Sequence, residues 1–404
     1  MELYFLDRNL QITMGPIDTA ISLVWTERWG SSGTFTLVLP MTGALFAAVL
    51  NAAYLEVRGR PGLGRVERIR YNGGDDGRAG TFAKTMTVSG RMAESLLSDR
   101  IIPRGTAVTG TLCRAVEEVV RGNAADKAGE RAIPCLSVAQ ADEVTDAAGL
   151  TVTIDDRVSG RPLDAWLYET LGAHGMSYRI LPDFDAGVLV FSVCRGLDRT
   201  QGQTENSRAI FSSSFSSSGE FDFLSDVTDY RNYAYIAGEG EGEARVTAEL
   251  DLRTDASEAR RELYVDARDL RSDDGETQMS AEAYRNLLLA RGRQRLAEHA
   301  CIRTLDGTAA AYTVSADGLS DAVDITPAWG VGLPPVGAVC SSSMICGVHY
   351  ALGDLCDIAS AALGMTWTAR VTEVSYICEG GCVRVEPRFG SHAPDLRTLL
   401  QRLE

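Results

Sequence analysis

Residues 230–270 read YRNYAYIAGEGEGEARVTAELDLRTDASEARRELYVDARDL. Within this stretch, 233–236 alternate a tyrosine with a smaller apolar residue, which is the period of a strand with two different faces. The flexible acidic run 238–243 predicts a hairpin loop, and 245–250 predict the return strand. A third extended segment is predicted at 262–266. The stretch therefore indicates a β-rich protein.

Strand-like alternation recurs on both sides of this stretch. Residues 34–39 place Phe35, Leu37 and Leu39 on one predicted face, and Pro40 ends that strand. The other predicted strands are 3–6, 22–28, 54–58, 66–71 and 82–88 near the N-terminus, and 311–314, 354–359, 366–376 and 383–387 near the C-terminus.

Helical spacing appears between these β-rich regions. Leu112, Val116 and Val119 lie on one face of a predicted helix that Thr109 or Thr111 caps and Gly122 ends. The other predicted helices are 44–51, 162–171 with Trp166 and Leu167 inward, and 280–301 with Ser280 as its cap. Predicted strands at 151–154, 176–181 and 188–194 lie around the 162–171 helix and the helix before it.

The predicted fold class is α+β and predominantly β. It has two β-barrel-like domains, an inserted small α/β domain and one long amphipathic helix. The predicted segments are 1–98 for the first barrel-like domain, 99–203 for the insertion, 204–270 for the hairpin region, 271–390 for the helix and second barrel-like domain, and 391–404 for a docking tail.

Composition excludes several classes of protein. The chain has 404 residues and a formal net charge of −16, which disfavours a broad nucleic-acid surface. No apolar run approaches the ~20 residues of a membrane span, and the N-terminus lacks the layout of a signal peptide. Nine cysteines without a tight framework predict reduced, buried thiols.

A serine-rich run at 212–218 is the candidate for a nucleophilic serine. It lacks the Gly-x-Ser-x-Gly sequence between a strand and a helix that exposes a catalytic serine. The candidate bases are four histidines in ordinary settings: His174, His299, His349 and His392. We predict no catalytic residue.

Five cysteines are the candidates for a metal site. Two of them flank a Glu-Gly-Gly turn, so a hairpin could bring them opposite each other. Their spacing is not the two-residue knuckle of structural zinc sites, so buried thiols are the preferred interpretation. The five are Cys340, Cys346, Cys356, Cys378 and Cys382.

Glycine-rich and acidic runs give weak signals. The run 238–243 lacks the Gly-Lys-Ser/Thr end of a phosphate loop, and 62–64 is weaker still. Three aspartate pairs are expected by chance among 55 acidic residues, although a calcium site at one of them stays open. The pairs are Asp75–Asp76, Asp155–Asp156 and Asp273–Asp274. We therefore predict no cofactor and no enzymatic activity.

Four stretches carry a resemblance to a known family. They are "MELYFLDRNL" with "SLVWTERW", "CRGLDRTQGQ…AIFSSSF", "GEGEGEAR" with "RRELYVDARDL", and "YALGDLCDIAS…TARVTEVSYICEGGCVRVEPRFG". Together they resemble the tail-tip and baseplate hub proteins of long-tailed phages. Since none of these stretches is a chemical signature, the resemblance implies no catalytic residue.

The resemblance implies a structural hub at the virion tail tip, assembled in the cytoplasm of the bacterial host. Three copies would form a pseudo-six-fold ring between the six-fold tail tube and three-fold spike or fibre proteins. Distal tail, tail tube and tape measure proteins are the implied partners, without a membrane span or sequence-specific nucleic-acid binding. Many relatives carry a C-terminal lysin or peptidase domain, and this sequence ends at Glu404 without one.

Two other hypotheses stay open. One is a cell-wall or glycan hydrolase that uses acidic residues of the insertion. The other is a receptor-binding module with an exposed aromatic groove. The host, the type of tail, the neighbouring proteins, passage of DNA through the ring, and an origin in a phage-derived bacteriocin or injection machine are not determined by the sequence.

Overall fold

The structure of the protein is a computed structural model. The chain divides into two compact units, 1–221 with 306–404 and 222–305. Its α+β, predominantly β class confirms the prediction, while the five predicted segment boundaries stay predictions. The described residues are 1–72, 84–103, 105–145, 151–212, 218–253, 255, 257–272, 279–299, 302–309, 312–315, 339–340, 344–360, 364–379 and 382–390.

The strands are numbered in chain order. They are β1 Leu3–Leu6, β2 Ile12–Ile17, β3 Ser22–Arg28, β4 Thr34–Pro40, β5 Tyr54–Val57, β6 Leu63–Arg65, β7 Arg68–Asn72, β8 Thr85–Arg91, β9 Thr106–Thr111, β10 Leu136–Val138, β11 Thr153–Val158, β12 Met176–Asp183, β13 Val188–Arg195, β14 Ile210–Ser212, β15 Ser218–Asp226, β16 Tyr233–Ala237, β17 Thr247–Asp251, β18 Glu262–Asp266, β19 Ile302–Ala309, β20 Tyr312–Ser315, β21 Val339–Cys340, β22 Leu355–Ser360, β23 Met365–Glu379 and β24 Cys382–Phe389. The α-helices are α1 Gly43–Leu50, α2 Leu112–Ala124, α3 Leu163–Gly172 and α4 Ala281–Glu298. Short 3-10 turns span Ala93–Asp99, Gly129–Arg131 and Gly242–Ala244.

Strands from both ends of the chain meet in the largest sheet of the first unit. β3 pairs antiparallel with β4 on one side and with β23 on the other, so Trp25 lies between Phe35 and Tyr376. All three aromatic side chains are buried, as are Leu37 and Leu39, which confirms the predicted inward face of 34–39. The two predicted β-rich regions therefore share one sheet. Its order is β19-β24-β23-β3-β4-β8-β7, with β22 and β14 joined through β23.

A smaller antiparallel sheet has the order β2-β1-β5-β6. β2 and β6 were not predicted, since both are short and one contains a proline. In the part of the chain that the structure describes, the sheets are open paths and none is closed. The barrel-like form of the two predicted β domains therefore stays a prediction.

Helices and strands of the predicted insertion share one core with the small sheet, since Leu6, Tyr54 and Leu63 belong to the same buried cluster as Val116 and Trp166. α2 and α3 accompany the sheet β10-β13-β12, while β9 pairs with β11. Trp166 and Leu167 of α3 are buried, as predicted. Thr111 is the N-cap residue of α2, as predicted, although its side chain makes no capping hydrogen bond. The prediction that Gly122 ends the helix was wrong, because α2 continues to Ala124. An interior glycine weakens a helix but does not end it when the buried face continues.

The second unit is a three-stranded sheet packed on α4. β16 pairs antiparallel with β17, as the hairpin pattern predicted, and parallel with β18. Tyr284, Leu288 and Leu296 of α4 are buried in its core. Ser280 caps the helix, because its hydroxyl accepts a hydrogen bond from Ala283 N at 3.1 Å. That predicted cap is confirmed.

Tyr284 joins the acidic loop to this unit. Its hydroxyl accepts from Glu239 N and donates to Leu270 O, both at 2.9 Å. Tyr284→Phe would leave a backbone donor and acceptor unpaired beside the core, at a cost of about 1–3 kcal/mol. We expect at least about tenfold faster hydrogen–deuterium exchange of β16 amides in the full chain. Tyr264→Phe is the control, since Tyr264 is 63% exposed; equal effects would contradict this role of Tyr284.

None of the helices that the structure describes has both the length and the apolar composition needed to cross a membrane.

Several predicted features fall outside the described residues. They are Asp75–Asp76, Asp273–Asp274, His392 and the tail 391–404.

Candidate functional site: the motif junction

Two of the family-like motif segments lie against each other in the first unit. Arg199 N donates to Leu355 O, and Leu355 N donates to Leu197 O, each at 2.9 Å. Beyond this ladder, β14 runs parallel to β22. The segment after β13 is therefore fixed along β22, although the two are far apart in sequence. We call Trp29, Arg199, Gly353, Asp354, Asp357 and Arg370 the motif junction.

Asp354 is the most highly coordinated carboxylate of the junction. It is 2% exposed and accepts hydrogen bonds from Leu197 N at 2.8 Å and Ala351 N at 2.9 Å. The Arg199 guanidinium donates to it through Nε at 2.6 Å. A buried carboxylate is tolerated only when it is paired and hydrogen-bonded, and here the backbone and one arginine supply both.

Asp357 holds the next part of the same segment. It is 5% exposed and accepts from Gln201 N at 2.7 Å and from the Thr368 hydroxyl at 3.0 Å. Its own N–H donates to Ala209 O at 3.0 Å. Two aspartates of "YALGDLCDIAS" therefore hold the backbone of "CRGLDRTQGQ" in place, which is a structural use of both motifs.

A third motif reaches the junction through Trp29. Gly353 has a φ of +93°, and a Cβ there would lie 2.1 Å from Trp29 Cζ3. Arg370 donates to Gly353 O at 2.5 Å, and its guanidinium lies 5.6 Å from the centroid of the Trp29 ring. Burial, and then the nearby Arg195, lowers the pKa of Arg370. Only glycine fits this backbone conformation against the indole.

The junction does not resemble a catalytic centre. The oxygens of Asp354 and Asp357 are directed at backbone N–H groups and at neighbouring side chains of the same fold, and both carboxylates are buried. Such groups position chain segments, whereas a general base needs a reachable substrate proton. The arrangement stabilises the packing of the insertion on the large sheet.

The candidate histidines and serines are dispersed. His349 Nδ1 accepts from Ile345 N at 2.9 Å, and burial lowers its pKa. His299 lies in the second unit, 4.0 Å from Asp229, and His174 follows α3. Ser212 ends β14, and 213–217 lie outside the described residues.

The cysteine candidates do not converge. Cys346, Cys356 and Cys378 form no disulfide, and burial raises the pKa of each, that of Cys346 to about 11. The register places Cys378 opposite Val383 and Cys382 opposite Glu379, so the hairpin does not bring the two cysteines opposite each other. Within the described ranges, no group of three or more His, Cys, Asp or Glu side chains is placed to hold a metal ion. Cys340 lies in β21, and its side chain is outside the described part of the structure.

The remaining acidic and glycine-rich candidates serve the fold. Asp155 and Asp156 lie within β11 and not in a loop, so their side chains point to opposite faces. The run 238–243 is part of the second unit's hairpin, where Gly238 N donates to Val246 O at 2.8 Å. Leu63, between the glycines of 62–64, is fully buried. The sequence identified the segments that form the motif junction as motifs. It did not show that these segments contact one another.

Known proteins were compared with the chain at the level of family, sequence and fold. The family described as Siphovirus ReqiPepy6 Gp37-like protein matches residues 1–391. No curated protein matches the chain in sequence. The crystal structure of the tail protein from Neisseria meningitidis MC58 has a similar fold, with a TM-score of 0.51 and 12% identity over 96% of this chain and 95% of that one.

Two further solved structures have a lower similarity. Prophage tail protein gp18 from Listeria monocytogenes EGD-e has a TM-score of 0.47 and 9% identity over 100% of this chain and 98% of that one. The 43 kDa tail protein of prophage MuSo2 from Shewanella oneidensis has a TM-score of 0.48 and 14% identity, over 96% and 98%. Because the family match spans nearly the whole sequence, the family that the motifs predicted is confirmed. The chain belongs to the Siphovirus ReqiPepy6 Gp37-like protein family, a family of siphovirus tail proteins.

Proposed function

We propose that the protein is the structural hub of a siphovirus tail tip. In this proposal three copies form a ring between the six-fold tail tube with its distal tail ring and three-fold spike or fibre proteins. Two barrel-like lobes per copy would give the ring its pseudo-six-fold symmetry. The observation that carries the proposal is the family match across 1–391, which is supported by motif segments that contact one another in this fold.

The free strand edges of the first unit support association between copies. Among the described strands, β2 pairs only with β1, and its Ile12 is 59% exposed. At the end of the large sheet, β7 pairs only with β8, and its Tyr71 is 41% exposed. Unpaired edges with apolar side chains favour pairing with another chain, and a closed ring covers them.

The motif junction supports a scaffold in preference to an enzyme. Its buried carboxylates, Asp354 and Asp357, hold the segment around Leu197 and Gln201 against β22. A rigid connection of this kind suits a protein that joins neighbouring proteins in a particle. Of the three aspartate pairs, Asp155–Asp156 is the one that the structure describes, and its side chains point to opposite faces of β11, so this pair gives the hydrolase hypothesis no support. We therefore propose a non-enzymatic role at the virion tail tip, with tail tube, distal tail, tape measure and fibre or spike proteins as partners.

The solution mass tests ring formation. We expect sedimentation equilibrium at micromolar concentration to give three times the 43.5 kDa of one chain. Ile12→Lys places a charge on the free edge of β2 and should weaken association at least about tenfold. Leu50→Lys is the matched control, since Leu50 is 57% exposed at the end of α1. Equal masses for the wild type and Ile12→Lys would exclude the β2 edge from the interface.

A further inference from the structure

Alternate residues of β12 contact the end of β3 in the large sheet. The Ser177 hydroxyl donates to Trp29 O, and the Arg179 guanidinium lies 3.6 Å from the Glu27 carboxylate. Tyr178, between them in sequence, is buried in the core around α2 and α3. Since side chains of a strand alternate between its two faces, one face of β12 belongs to that core and the other is held against β3.

A second carboxylate lies beside this ion pair. Glu94 lies in the 3-10 turn after β8, where its carboxylate accepts from Ile180 N at 3.5 Å and its backbone carbonyl accepts from the Tyr178 hydroxyl at 3.4 Å. Arg179 attracts the carboxylates of both Glu27 and Glu94. In the part of the chain that the structure describes, no arginine or lysine lies within the 4.0 Å of a direct ion pair with Glu94.

The two carboxylates therefore share one positive charge in a partly buried place. The side chains of Arg179 and Glu27 are 22% and 11% exposed, and Glu27 Oε1 is a buried atom without a hydrogen-bond partner among the described residues. A partly buried carboxylate without its own counter-charge favours the protonated form. Burial raises the pKa of Glu94, Arg179 opposes this shift, and the charge of Glu27 adds to it.

The thiols, phenols and arginine around these residues keep one charge state between about pH 5 and pH 8. Burial raises the pKa of the two thiols to about 11 and also raises the pKa of the three phenols, so all five groups stay neutral. Arg60 stays charged, and its guanidinium lies 3.3 Å from the centroid of the Tyr376 ring. The surrounding groups are Arg60, Asp164, Tyr168, Tyr178, Cys194, Cys346 and Tyr376.

We propose that Glu27, Glu94 and Arg179 form a proton-sensitive contact that sets how tightly β12 packs on β3. When Glu94 holds a proton, Arg179 pairs with Glu27 alone and the contact is tightest. When Glu94 loses the proton, two carboxylates compete for one guanidinium and the contact loosens. This inference concerns the fold of one chain and does not depend on the proposed hub.

The direction of the pH dependence follows from linkage between proton binding and folding. The folded chain holds the Glu94 proton more strongly than the unfolded chain does, because the pKa of this group is raised. The resulting stability is fully present below the ordinary glutamate pKa of 4.5 and is lost as the pH rises through the raised pKa of the folded state. Acidification therefore tightens the contact.

Urea unfolding of the full chain at pH 5 and pH 8 tests this inference. Glu94→Gln keeps the shape of the side chain and an acceptor for Ile180 N but carries no charge. We expect its unfolding midpoint to exceed that of the wild type at pH 8, and we expect the difference to fall by at least about half at pH 5. Other groups titrate in both proteins, so the difference isolates Glu94. Glu169→Gln is the matched control, since the Glu169 side chain is 65% exposed on α3, and its difference from the wild type should be the same at both pH values.

Hydrogen–deuterium exchange of residues 176–183 locates the effect. After correction for intrinsic exchange rates, protection in the wild type should be at least about fivefold higher at pH 5 than at pH 8, and this change should be absent in Glu94→Gln. Adding Glu94→Gln to Glu27→Gln tests the competition for Arg179, because the pH-dependent difference should shrink by at least about half in that background. Equal midpoint differences at the two pH values would overturn the proposal. Protection that depends on pH equally in Glu94→Gln and the wild type, or an undiminished difference in the Glu27→Gln background, would overturn it as well.

Discussion

Asp354→Asn is expected to destabilise the first unit by about 3–5 kcal/mol, the usual cost of removing one partner from a buried ion pair. The two partners, Arg199 and Asp354, have side chains that are 13% and 3% exposed. The amide that replaces the carboxylate keeps its shape, yet it leaves the guanidinium without a counter-charge. One of its atoms also becomes a donor that faces backbone N–H groups. The substitution therefore tests charge and hydrogen bonding without creating a cavity.

Urea unfolding followed by tryptophan fluorescence measures this effect, since Trp29 lies in the motif junction. Asp126→Asn is a matched control, because Asp126 pairs with Arg121 at 3.3 Å but is 57% exposed. Exposed ion pairs contribute about 0–1 kcal/mol, so the control should unfold close to the wild type. If both variants lose the same free energy, the Asp354 carboxylate does not hold the junction together.

Gly353→Ala is expected to cost more than about 3 kcal/mol or to prevent soluble folding. The new Cβ would meet the Trp29 ring at 2.1 Å and would also occupy a backbone conformation with a φ of +93°. Neither the indole nor the backbone can move readily, because Trp29 is 7% exposed and Gly353 N donates to Val371 O at 2.8 Å.

Gly347→Ala separates the two contributions to this cost. Gly347 has a φ of +87°, but a Cβ there would meet nothing within 4 Å. Gly347→Ala should therefore lower the free energy of unfolding by only about 1–2 kcal/mol, the cost of placing a residue with a Cβ at a positive φ. The difference between the two thermal midpoints measures the contact with Trp29. Similar midpoints for both variants would contradict the close packing of this motif glycine.

Local patterns predicted single elements well. The alternation at 34–39 gave a strand whose inward residues are buried, and 262–266 form β18. Both strands were predicted from the alternation of side chains along a single segment, which is visible in the sequence itself. The parallel partner of β18 was not predictable, because any of several strands could satisfy its hydrogen bonds. The same limit applies to β3 and β23, whose pairing joins the two ends of the chain.

The errors have identifiable physical causes. Gly122 was expected to end its helix, but the buried face of α2 continues to Ala124 and outweighs the propensity of glycine. A hairpin could have placed Cys378 opposite Cys382, but its register offsets them by one residue. β9 was missed although its sequence TAVTGT is rich in β-branched residues, since its last threonine was assigned to a helix cap.

The motif junction was predictable only in part. Its segments were recognised as motifs, yet Arg199 and Asp354 are separated by 155 positions and neither has a distinctive neighbour. Only the folded chain shows that two aspartates and a glycine of one motif hold the other motifs in place. In this fold those motif residues make packing and hydrogen-bonding contacts with one another.

Electron-microscopy class averages of the purified protein test the hub proposal most directly. We expect three-fold rings with six similar lobes, in which neighbouring copies cover the free edges of β2 and β7. Such rings would direct further work to the tail tube and fibre partners. Compact single copies at the highest accessible concentrations, without any ring class, would contradict the trimeric hub.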